Sequence, residues 1–184
     1  MPPEIDADLR RVLVVGTSGA GKTHFAKRLA GLLDAPHVEL DALFWLPGWV
    51  QRERADFKAQ VRQAIAPERW VVDGNYSRVR PIVWPRATAV IWLNYSPLVV
   101  GWRAISRTIV RATTRQELFS GNRESFLKSF FSRDSILVWV FYSYRKNQRR
   151  YRALFKRRAY PNLEVIEFRK PAEAERFLRE MEAR

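Results

Sequence analysis

The chain has 184 residues, 47% of them hydrophobic, with 7 Trp, 6 Tyr and 11 Phe and no long polar tract, a size and composition that exclude two large domains and an intrinsically disordered chain. Its cysteine count of zero excludes disulfides, thiolate zinc sites and thiol nucleophiles. The net charge of +14 is concentrated in residues 101–158, which carry 15 Lys/Arg against 3 Asp/Glu, whereas residues 1–100 carry 13 against 10 and residues 159–184 carry 5 against 6.

In chain order, the opening Met1-Pro2-Pro3-Glu4-Ile5-Asp6 has neither a basic start nor an apolar run, so no signal peptide is expected and a cytoplasmic address fits. Short β-rich runs follow at 11–15, 37–40, 70–73, 89–93 and 163–168, each read as continuously apolar, as for strands buried on both faces. Helical spacing marks 22–33, through Phe25, Leu29 and Leu32, and 55–65, through Phe57, Val61 and Ile65. Pro97 and Pro171 suit the first turns of two later helices. The apolar run 136–144 is about half of the ~20 residues that cross a bilayer and reads as a buried helix, with no membrane span expected. The alternation predicts an α/β fold with a parallel sheet covered by helices. One domain over 1–184 is expected, with the basic block inserted between the fourth and fifth strands.

Gly16-Thr17-Ser18-Gly19-Ala20-Gly21-Lys22-Thr23 matches G-x-x-x-x-G-K-[ST], directly after one strand and before one helix. The glycines let backbone N–H groups turn toward phosphate oxygens, and the helix N-terminus adds positive partial charge. Gly16, Ser18, Gly19, Ala20, Gly21, Lys22 and Thr23 are therefore assigned to ATP, with Lys22 between the β- and γ-phosphates and the Thr23 hydroxyl on Mg²⁺. Asp73 ends an apolar strand, where a carboxylate can reach that metal through water; Asp41 follows the second strand on the same carboxyl edge, where ligands bind in open α/β sheets. Asp73 is taken as a catalytic and metal-binding acid, and Asp41 as a partner of the phosphoryl acceptor.

The P-loop, Leu40-Asp41-Ala42-Leu43-Phe44-Trp45 with Pro47-Gly48-Trp49, Val72-Asp73-Gly74-Asn75-Tyr76-Ser77 and Gly121-Asn122-Arg123-Glu124 together resemble the adenylate-kinase-like P-loop proteins labelled DNA topology modulation proteins, over nearly the whole chain. That resemblance implies a nucleoside-monophosphate-kinase-like plan: a three-layer P-loop NTPase with a five-stranded parallel sheet that carries the loop on its central strand, an acceptor-binding region at about 41–66 after the second strand and a basic helical lid insertion at about 103–158 after the fourth. Related sequences carry an acid after the fourth strand where this chain has Leu93-Asn94, so the metal assignment rests on Asp73 and Thr23.

Arg103, Arg107 and Arg111 recur every fourth residue along one helix face. By the resemblance, Arg103 borders the nucleobase, Arg107 reaches the phosphates, and Arg123 closes over the transferring group. Arg78, Trp45 and Trp49 are assigned to the acceptor pocket. The basic run from Arg145 to Arg158 reads as a solvated or nucleic-acid-facing surface, the aromatics Trp139, Phe141, Tyr142 and Tyr144 as packing, and His24 and His37 as structural. Two functions compete. The first is an ATP·Mg²⁺-dependent phosphotransferase acting on a small molecule, with a nucleoside monophosphate as the first acceptor to test. The alternative is an ATPase using its basic insertion on DNA or RNA.

Overall fold

Five runs of β-branched, aliphatic and aromatic residues pair as parallel neighbours into one sheet. In chain order they are β1 (Arg11–Gly16), β2 (His37–Glu39), β5 (Trp70–Asp73), β6 (Ala89–Leu93) and β7 (Glu164–Phe168), arranged as β2-β5-β1-β6-β7. The computed structural model describes residues 7–114, 121–122, 136–156 and 160–183. The register sets Gly16 beside Leu93, so β1 and β6 end level, and Val14 beside Asp73, so β5 ends two residues earlier on the same carboxyl edge. Two hydrophobic layers cover the sheet. On one face, α1 (Lys22–Leu32), the start of α5 (Pro97–Thr114) and α7 (Pro171–Glu182) bury Phe25, Leu29, Val100, Phe177 and Leu178 against Val12, Val14 and Ile91. On the other, α3 (Arg54–Ala64), the short α4 (Arg80–Val83) and the last turns of α6 (Ile136–Lys156) bury Phe57, Val61, Val83 and Tyr151 against Leu13, Val72 and Trp92.

Each helix has a local cause. The Glu53 carboxylate accepts from the Ala55 and Asp56 N–H groups and caps α3. Pro171 opens α7 as Pro97 opens α5, and Glu173 reaches back to the Arg169 and Lys170 N–H groups. Arg28 of α1 bridges Glu175 at 2.6 Å and Glu182 at 3.0 Å, tying two neighbouring helices together.

Three features depart from the pattern. The second strand stops at Glu39, because Leu40–Phe44 turns at once into a five-residue helix, α2, so Asp41 stands in a first helical turn rather than at a strand end. The stretch holding Trp45 and Trp49 is a hairpin, β3 (Trp45–Leu46) against β4 (Val50–Gln51), which is too short for periodicity to reveal. The fifth strand lies at the sheet edge, and Glu164 and Val165 are exposed; only one neighbour covers it.

Candidate active site

The P-loop leaves β1 on the central strand and feeds α1. Gly19 has φ +88 and Gly21 φ +89, a left-handed region that favours glycine. A Cβ at Gly19 would stand 2.8 Å from the Val100 carbonyl oxygen and 3.1 Å from Ala104 Cβ, so α5 lies directly on the loop. At Gly21 an added Cβ would meet only the flexible Arg103 Nη1, at 3.3 Å. That open side is what a phosphate needs.

Lys22 Nζ donates to the Thr17 carbonyl at 3.3 Å. Burial pushes the pKa of this ammonium down, and Asp73, Asp41 and Glu39 pull the other way, with Arg107 adding to the fall. The Thr23 hydroxyl donates to Glu39 Oε1 at 3.1 Å. Burial and the nearby Asp73 raise the Glu39 carboxyl pKa. Glu39 escaped the sequence reading; its signal was its place at the end of β2, two residues before Asp41. Asp73 is 1% exposed, and His37 Nε2 lies 3.2 Å from its Oδ2, so His37 has a definite polar partner beside the loop. Among the described residues no three Asp, Glu or His side chains are grouped to hold a metal alone. The oxygen donors gathered beside the loop are the Thr23 hydroxyl and the Glu39 and Asp73 carboxylates, the donor type that Mg²⁺ takes when it uses one or two protein ligands and completes its shell with phosphates and water.

Beside the loop lies a cleft of about 320 Å³ lined by the loop, His24, Phe25, Tyr95 and α7. Arg103 Nη1 donates to the Ala20 carbonyl at 3.3 Å, and its guanidinium lies 5.4 Å from the Tyr95 ring centroid. Burial raises the Tyr95 pKa to about 12, so the ring stays neutral. Arg107 Nη2 donates to Ser18 Oγ at 3.2 Å. The structure thus brings both arginines to the loop; Arg123 lies outside the described residues.

On the acceptor side, the Tyr76 hydroxyl donates to Asp41 Oδ1 at 2.5 Å, and burial together with Asp41 drives the phenol pKa far up. Phe44, Phe57 and Tyr76 pack edge to face or tilted against one another, with centroids 4.7–5.4 Å apart. Trp45 meets Trp49 edge to face at 5.5 Å, and Arg78 sits 5.8 Å from the Phe44 ring centroid, exposed. Trp49 has φ +59 beside Gly48 at φ +71. A left-handed tryptophan costs about 1–2 kcal/mol and persists only where neighbours hold it.

Two polar rungs join α6 to the strand ends. Asn75 Nδ2 donates to the Gly16 carbonyl and its Oδ1 accepts from the Tyr151 hydroxyl, both at 2.5 Å. Asn94 Nδ2 donates to Glu167 at 2.6 Å and its Oδ1 accepts from Gln148 at 3.0 Å. Asn94 is therefore a cross-link, which explains an amide where a charge was expected. Of the basic run, Arg145, Lys146, Arg149, Arg152 and Lys156 are exposed, and Tyr144 is half-buried; the side chains of Trp139, Phe141 and Tyr142 lie outside the described residues.

No known protein-family model matches the chain. A 56-residue stretch is 38% identical to the ATP-dependent protease ATPase subunit HslU of Lactobacillus delbrueckii subsp. bulgaricus, covering 29% of this chain and spanning 12% of the length of that relative. Among solved structures, a gluconokinase from Sinorhizobium meliloti 1021 superposes with a TM-score of 0.51 at 18% identity, covering 95% of this chain and 90% of the other. The chain has a three-layer P-loop fold. A shikimate kinase from Bacteroides thetaiotaomicron gives a TM-score of 0.48 at 19% identity, covering 94% of this chain and 96% of that one. Among the described residues, no helix is long and apolar enough to cross a membrane.

Proposed function

We propose that this protein is an ATP·Mg²⁺-dependent phosphotransferase acting on a small molecule, organised on the adenylate-kinase-like plan, with a nucleoside monophosphate as the first acceptor to test. The observation that carries this reading is geometric. The helix α5 lies on the P-loop and sets Arg103 and Arg107 against the Ala20 carbonyl and Ser18 Oγ, while Thr23 at the end of the loop bonds Glu39, two residues before Asp41. The gluconokinase that shares the fold is by name a small-molecule kinase.

In this reading, Lys22 and the loop N–H groups hold the β- and γ-phosphates, Arg107 beside Ser18 adds charge along them, and Arg103 with Tyr95 borders the base. Thr23 and Asp73 hold Mg²⁺, which neutralises phosphate charge. Asp41, aimed by the Tyr76 hydroxyl, accepts a hydrogen bond from the acceptor, while Trp45, Trp49 and Arg78 wall its pocket. The segment 103–158 serves as a lid within one domain, and Arg123 belongs to it. Because phosphoryl transfer is catalysed mainly by positioning and charge, arginines converging on the loop are what it requires.

The test is a panel of nucleotides, nucleosides and sugars incubated with ATP·Mg²⁺ and read by mass spectrometry. One acceptor gaining a phosphoryl group supports the reading; none doing so overturns it. The second reading, a nucleic-acid-associated ATPase, draws on Arg145, Arg149, Arg152 and Lys156, exposed residues spaced along one face of α6. It requires DNA or RNA to stimulate ATP hydrolysis, with affinity falling steeply as salt rises.

A further inference from the structure

The left-handed Trp49 is held by a residue from far along the chain. Asn122, 5% exposed, accepts from the Trp49 N–H through Oδ1 and donates to the Leu46 carbonyl through Nδ2, both at 2.9 Å. Leu46 and Trp49 flank the tight turn of the β3–β4 hairpin, where Pro47 removes a donor and Gly48 and Trp49 both take positive φ. A single carboxamide thus bonds both sides of this turn. Asn122 follows Gly121, which has φ +74, and belongs to the same inserted segment whose α5 sets Arg103 and Arg107 against the P-loop.

We propose that Asn122 is a positioning residue that fixes the Trp45–Trp49 wall of the acceptor pocket, so that one inserted segment holds both the phosphate loop and the acceptor hairpin. The acceptor half of this inference rests on the phosphotransferase reading; the clasp itself does not. A carboxamide suits the task because it alone among short side chains offers an acceptor and a donor in one plane, spaced to meet an N–H and a C=O. Strain at a bulky left-handed residue beside a binding pocket is a recognised mark of a positioned site. Without Asn122, Trp49 relaxes toward an ordinary backbone, and the indole that meets Trp45 edge to face leaves the wall.

The experiment uses the full chain and two variants, Asn122→Ala and Asn122→Asp. Backbone amide exchange, followed by NMR, reads the clasp directly. In Asn122→Ala the Trp49 N–H should exchange about ten-fold faster or more, the effect of losing one buried hydrogen bond, while the Val14 and Val72 amides in the sheet stay as in the parent. Asn122→Asp keeps an oxygen for the Trp49 N–H and should keep most of its protection. Should Asn122→Ala fail to fold, visible as faster exchange at Val14, a third variant, Asn122→Leu, keeps the side-chain volume while removing both hydrogen bonds and carries the same reading at the Trp49 N–H. With the acceptor found by the panel, KM for that acceptor should rise about ten-fold in Asn122→Ala, with KM for ATP within about two-fold of the parent. Unchanged exchange at Trp49 would overturn the clasp. Faster exchange with an unchanged acceptor KM would overturn its role in the pocket. If the parent protein phosphorylates no acceptor at all, the phosphotransferase reading falls and takes the pocket role with it, while the exchange data still decide the clasp.

Discussion

The two sides of the candidate site are built on opposite plans. On the proposed nucleotide side, eight consecutive residues, Gly16 to Thr23, make one loop, and α5 packs on it through Val100 and Ala104 and brings Arg103 and Arg107 to it. On the proposed acceptor side, three separate stretches of the chain meet. Asp41 comes from α2, Tyr76 from the turn after β5, the two tryptophans from a hairpin and Asn122 from the inserted segment, and hydrogen bonds between side chains and backbone join them. A backbone-coded cradle tolerates drift everywhere except at its glycines and its Lys-Thr pair. An assembled pocket can change its ligand through any one of several positions, so the shared fold identifies the phosphate donor side more readily than the acceptor.

The largest expected effect tests the first half of that contrast. Lys22→Ala should lower ATP-dependent turnover by about a thousand-fold, roughly 4 kcal/mol, the loss typical of a central charge-stabilising donor. Turnover within a few-fold of the parent, measured with the acceptor from the panel, would mean that the loop's charge is not used. Asp41→Asn addresses the other half. It should reduce kcat/KM for the acceptor about a hundred-fold while leaving the ATP dissociation constant within about two-fold, as expected for removing one general base or orienting acid. Equal losses toward ATP and acceptor would erase the distinction between the two sides.

Two smaller effects sharpen the border between them. Asn94→Asp introduces the acid that the sequence resemblance implies at this position, but it sets a carboxylate against Glu167 and removes a donor. Burial favours the neutral form of Glu167, yet Arg169 and Asn94 outweigh it and hold its pKa below the usual carboxylate value. Thermal unfolding should show a loss of about 1–3 kcal/mol with no gain in Mg²⁺ affinity; a stabilised variant would contradict the cross-link. The smallest change is expected for Arg103→Ala. Its guanidinium is exposed and rests on Tyr95, so KM for ATP should rise only a few-fold, consistent with about 0.5–1 kcal/mol for a surface cation–π contact.

What could be read from the sequence follows the same division. The five strands, the P-loop and the helices at Lys22, Arg54, Pro97 and Pro171 were legible because each is a local pattern: a continuous apolar run, a motif in its context, a proline at a first turn. Glu39 was not, because its meaning comes from Thr23, 16 positions earlier, and only the pairing of β2 with β5 brings that edge together. The hairpin was hidden because two-residue strands carry no period. Gly121-Asn122 stood out as a motif, but its use depends on the Leu46 carbonyl and the Trp49 amide, more than 70 residues before it. The amide at position 94 looked like a lost charge until Glu167 and Gln148 appeared on either side of it.

The edge-to-face contact of Trp45 and Trp49 has an optical consequence. Two indoles whose centroids lie 5.5 Å apart at 81° couple their electronic transitions, and the resulting circular-dichroism couplet depends steeply on their separation and mutual angle. The hairpin therefore carries its own spectroscopic gauge. Any compound that parts the rings changes that signal without a label, so candidate acceptors can be ranked by titration before a single turnover has been measured.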